Sequence, residues 1–155
     1  MDSAERSDAK AYLRGLDIDA TEMSASAGWQ AAGEIIRRTD FTPAWWDGED
    51  RLATELMDEA VQSLGREAVG RRLAGIEHAA SDHLQGVAST ALARAGLADA
   101  GLGKSAAGSA TIAVHQAALA LAAGQTGAHP FAAKFRLFQA GHWPLGVYGD
   151  TFYFL

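Results

Sequence analysis

Apolar positions recur at helical spacing along most of this chain, and the period changes only near its end. From Asp50 to Leu64, Leu52, Leu56, Ala60 and Leu64 fall every fourth residue and Gly65 follows, which predicts a helix with one buried stripe. The longest such row runs from about Arg66 to Ala95 through Leu73, Ile76, Ala80, Leu84, Val87 and Ala91, closed by Ala95-Gly96-Leu97. After a loop over Ala98 to Lys104, a further helix is predicted from about Ser105 to Ala123, with Ile112, Leu119, Ala122 and Ala123 on its contact side and Gly124 ending it. Earlier, Ser24 or Ser26 is placed to cap a helix through Arg38 that carries Trp29, Ala32 and Ile36 on one side. Residues 1–21 hold few apolar anchors beyond Tyr12, Leu13, Leu16 and Ile18, so a short helix, frayed or docked, is expected there.

The final stretch, His129 to Leu155, holds eight of the chain's thirteen Phe, Trp and Tyr side chains. Pro130 suits a first helical turn, and Phe131, Phe135 and Phe138 recur on one stripe before Gly141, with Lys134 and Arg136 off it and able to reach water. Leu145, Val147 and Tyr148 then lead into Gly149-Asp150 and on to Thr151, Phe152, Tyr153 and Phe154, a β-hairpin pattern. A lone hairpin is marginal in water, so it must lie on an apolar surface, and the phenylalanine stripe is the nearest one. The expected architecture is mainly α: one helical domain over residues 1–155, closed by a C-terminal clasp of short helix and hairpin at 129–155. The preceding helices are rich in Ala and Gly and bury little area per contact, which gives that clasp its weight.

Composition narrows the function. The chain carries 13 basic and 19 acidic residues, a net charge of −6, and no stretch gathers Lys and Arg; neither nucleic acid nor an anionic membrane is an expected partner. The absence of Cys excludes disulfides and thiolate chemistry. No signal-peptide core is seen at the start, and the apolar run around Ile112 to Ala123 is too short to span a bilayer, so a soluble cytoplasmic protein is expected. The alanine excess, with Arg above Lys, reflects a GC-rich coding sequence, and the helices resemble alanine-rich bacterial ones without pointing to a family.

Several patterns touch on chemistry. Ala98-Asp-Ala-Gly-Leu-Gly-Lys-Ser105 approaches a phosphate-binding loop, but Ala98 replaces its first glycine and a helix, not a strand, precedes it. His78 and Asp82 fall opposite the apolar row, as a solvated pair; His83 sits at the edge of the row, and two histidines five apart do not share a helix face for metal. His115 lies beside Ile112 and Leu119 on a contact side, where an imidazole needs partners. Were the two long helices antiparallel, His115 and His83 could meet, with Glu55 and Glu59 supplying carboxylates. Adjacent Trp45 and Trp46 cannot share one helix face, so one of them is expected to be partly exposed, and His142-Trp143-Pro144 marks the turn between helix and hairpin. Two functions of different class follow. One is a binding module that engages a partner protein or a small apolar ligand through Trp45, Trp46, His142 and Trp143. The other is a small enzyme using His115, His83, Glu55 and Glu59 on an aromatic or polyketide-like metabolite. Neither needs a metal or cofactor, and an open hairpin edge would allow a homodimer.

Overall fold

Residues 1–155 are described by a computed structural model, in the order α1 (Ser3–Gly15), β1 (Glu22–Ala25), α2 (Trp29–Arg38), α3 (Ala44–Leu64), α4 (Arg66–Arg94), α5 (Ala100–Ala122), α6 (Pro130–Gln139), β2 (Pro144–Tyr148) and β3 (Thr151–Phe154). The protein is mainly α, with a small sheet at its C-terminal end, as the periodicity predicts. Helix α4 matches its predicted span closely. Helices α3 and α5 begin several residues earlier than predicted: α3 already contains the tryptophan pair, and α5 is capped by Asp99, whose side chain accepts the Leu102 N–H at 2.9 Å. The Gly-Leu-Gly-Lys-Ser segment therefore forms the first turns of α5 rather than a loop.

The N-terminal segment is docked. Asp2 and Glu5 form a reciprocal capping box at the start of α1. Ala9, Tyr12, Leu13 and Leu16 are buried, and the helix packs along α6. Those four positions follow helical spacing, which gives α1 a complete inner stripe despite its polar composition.

Residues Glu22–Ala25 correct the sequence reading. They form β1, which pairs in parallel with β3 (Glu22 opposite Thr151, Ala25 opposite Phe154), instead of leading into a helix at Ser24 or Ser26. Nothing in Glu-Met-Ser-Ala favours a strand; the free N–H and C=O row of β3 supplies the ladder. The sheet order is β1-β3-β2, so one of the hairpin's two edges, that of β3, is covered by the chain itself. Strands β2 and β3 form the predicted antiparallel hairpin, and Gly149 turns it at φ 59°.

Helix α6 is more deeply embedded than one phenylalanine stripe implies. Its buried residues are Phe131, Ala133, Lys134 and Leu137, while Phe135 and Phe138 are half-buried. It contacts α1 on one side and α5 on another, so more than one of its faces is enclosed. The terminal stretch reaches all three apolar clusters of the molecule. Leu137, Val147, Phe152 and Phe154 pack with α1; Trp143 and Leu145 join α2, α4 and α5; Phe131 is sealed among α3, α4 and α5. No helix is long and apolar enough to cross a membrane.

Candidate functional site

Four helices meet around one buried charge. Helix α3 presents Trp45 and Glu49 one turn apart, α1 contributes Tyr12, α5 Gln116 and α6 Lys134. The Lys134 ammonium donates to Glu49 Oε1 through a short contact and to Gln116 Oε1 at 2.9 Å. Gln116 Nε2 donates at 3.4 Å to the other oxygen of Glu49. The Tyr12 hydroxyl donates to Glu49 Oε1 and accepts the Trp45 indole N–H at 2.7 Å. Lys134 Nζ also lies 5.8 Å from the centre of the Tyr12 ring. No buried side-chain nitrogen or oxygen in the molecule is left without a partner.

The side chains of Lys134 and Glu49 are only 5% and 13% exposed, so the pair sits in a medium of low polarizability. Burial lowers the Lys134 pKa, and the Glu49 carboxylate opposes that shift in part. Burial raises that of Tyr12, and Glu49 adds to the effect, so the phenol stays protonated. The result is a charge-compensated centre whose hydrogen bonds tie α1, α3, α5 and α6 together.

A pocket of about 210 Å³ opens against this centre. Lys134 and Glu49 form part of its wall together with Trp45, Trp46, Trp143 and Phe138, and the Ser105 and Ser109 hydroxyls of α5 add polar atoms. Trp45 is buried, whereas its neighbour Trp46 is 50% exposed; their ring centroids are 5.2 Å apart and their planes inclined at 56°. The adjacent pair thus divides as helix geometry requires, one ring locked by Tyr12 and the other at the pocket mouth.

Of the residues proposed from sequence to bind a ligand, Trp45, Trp46 and Trp143 share this pocket and His142 does not. His142 Nε2 lies 3.2 Å from Glu5, and its ring meets Phe154 edge-on at 5.4 Å. It borders a separate apolar cavity between α4 and α5, together with Trp29 and the other side of Trp143. The other four residues are spread over the helices. His115 Nδ1 lies 3.6 Å from Glu77, Glu55 pairs with Arg51 at 3.8 Å, Glu59 accepts from Gln125 at 3.0 Å, and His83 is exposed on α4. No group of three or more His, Asp or Glu is placed to hold a metal ion.

Nothing in the sequence pattern marks Lys134, Glu49, Gln116 and Tyr12 as a set, and the expected place of Lys134 in water is corrected by its burial. Part of the signal was present. Lys134 lies three residues after Phe131 and four before Phe138, on the same helical stripe, and Glu49 lies four after Trp45. That α3 and α6 face each other across these positions is information no local pattern holds. Compared with known proteins, the chain matches no family model, no curated sequence and no solved structure, so its functional reading rests on this geometry.

Proposed function

We propose that this chain is a helical binding module whose pocket beside the Lys134–Glu49 pair receives a small apolar ring, free or carried on the side chain of a partner protein. The observation that carries this reading is the convergence of three tryptophans and Phe138 on one opening backed by a hydrogen-bonded polar floor. Ligand sites combine apolar walls with a few fixed polar groups in this way, and tryptophan is enriched where binding energy concentrates. The volume, about 210 Å³, sets the scale of the occupant. An apolar cavity of about 150 Å³ holds benzene, so one substituted ring fits here. Because Lys134 and Glu49 cancel each other's charge, the floor favours a neutral ring with a hydroxyl or carbonyl group over an ion.

Trp46 provides the clean test. Trp45 donates to Tyr12 inside the core, so its loss would disturb the fold along with the pocket. Trp46 is half exposed and makes no side-chain hydrogen bond, so Trp46→Ala should leave the melting temperature almost unchanged. Its expected effect is at least about a tenfold loss of affinity for a phenol or benzyl alcohol probe, corresponding to roughly 1.4 kcal/mol of ring contact. Binding followed by NMR shifts of the indole N–H groups measures this, and an unchanged affinity in a folded variant would remove the proposal.

A further inference from the structure

Lys134 has more to offer than a structural ion pair. Resting on the binding reading above, we infer that the pocket is suited to aromatic aldehydes or ketones, which Lys134 captures as a reversible imine with Glu49 moving the protons. Three features of the site support this. Lys134 is buried yet forms part of the wall of the opening that Trp45, Trp46 and Trp143 also line. The ammonium has three donors, of which the structure assigns only two, to Glu49 and Gln116. Finally, Glu49 contacts the nitrogen directly and lines the same opening, as a proton carrier between nitrogen and a departing oxygen must. Desolvation by apolar walls is a recognised way to make a lysine nucleophilic, and the lowered pKa of Lys134 agrees with it.

The chemistry balances without redox. One ammonium proton passes to Glu49, leaving a free amine. The nitrogen lone pair adds to the carbonyl carbon, the C–N bond forms, and the carbonyl π electrons move to oxygen, which takes the proton from Glu49. The nitrogen then gives a second proton to Glu49, and from there it reaches the hydroxyl, which leaves as water as the C=N bond forms. Ammonium and carbonyl become a protonated imine and water, with Glu49 again a carboxylate.

The sequence carries its own control. The chain has three lysines, and Lys10 and Lys104 are both exposed. The native protein is treated at neutral pH with benzaldehyde and cyanoborohydride, with and without excess benzyl alcohol, and the adducts are located by peptide mass spectrometry. The N-terminal amine is scored separately on its own peptide. The expected result is modification of Lys134 at least about tenfold faster than Lys10 or Lys104, as positioning beside the carbonyl requires, and protection by the alcohol. Equal rates at all three lysines overturn the inference, as does labelling of Lys134 that the alcohol does not slow. Benzyl alcohol that shifts the Trp46 indole signal while Lys134 stays unlabelled removes the imine and leaves the binding proposal standing. No binding of either probe removes both.

Discussion

At the scale of single residues, the Lys134–Glu49 pair is both the strongest polar feature and the most exposed to mutation. An unpaired buried charge is far more costly than a buried pair, so Lys134→Met should destabilise the fold by about 3–5 kcal/mol. Glu49 would then be left with Tyr12 and Gln116 as partners but no cation. In the double variant Lys134→Met, Glu49→Gln the amide still accepts from Tyr12, and a substantial part of that loss should return. Urea denaturation of the wild type and both variants checks this; a single variant as stable as wild type would show that the pair is hydrated. The same scale shows why the site was only partly legible. Residues 131, 134, 135 and 138 share a stripe whatever their chemistry, and beside three phenylalanines the pattern alone puts a lysine in solvent. A lysine on such a stripe is buried only if a carboxylate waits on the facing helix, and no spacing rule supplies that fact.

At the scale of elements, α6 shows how local chemistry places the site. Its cap is a histidine: His129 Nδ1 accepts the Phe131 N–H at 3.1 Å, which requires an unprotonated ring nitrogen. Burial lowers the His129 pKa below its ordinary value of 6.5, against a weaker opposing pull from Glu59. The sign follows directly. Between the folded value and 6.5 the unfolded chain binds more protons, so stability rises with pH through that window and is lost on acidification. A His129→Asn variant keeps a capping acceptor that does not titrate. Its melting temperature should fall less than the wild type's between pH 7.5 and pH 5, and parallel curves would show that the cap carries no pH dependence. The link from β2 to the preceding segment is equally specific. Gly146 sits at φ 151°, and a Cβ there would come within 2.5 Å of the Phe41 ring, so the strand and the α2–α3 connection approach as only glycine permits. Strand β1 is the opposite case, an element with almost no propensity of its own, formed because β3 leaves an edge to be paired.

At the scale of the whole molecule, residues 129–155 contribute large buried side chains to all three apolar clusters. Removing them should expose the inner faces of α1, α3 and α5, and the remaining chain should lose its sharp thermal transition and bind a hydrophobic dye. A truncated protein melting as sharply and as hot as the intact one would contradict this role. The sequence by itself determined the mainly helical class, the span of α4, the start of α6, the hairpin turn at Gly149 and the division of labour between Trp45 and Trp46. Each of these follows from neighbours within about a turn, where periodicity, capping and backbone freedom act. Tertiary structure alone decided that α1 docks, that Glu22–Ala25 becomes a strand, and that side chains from four helices converge on one buried ammonium. Those outcomes depend on burial and on hydrogen-bond partners more than thirty residues away in the chain for Tyr12 with Glu49 and Trp45, and farther still for Lys134 with Glu49. A buried polar group is stable only when such a distant partner arrives, so its place is set by the fold and not by its surroundings in sequence.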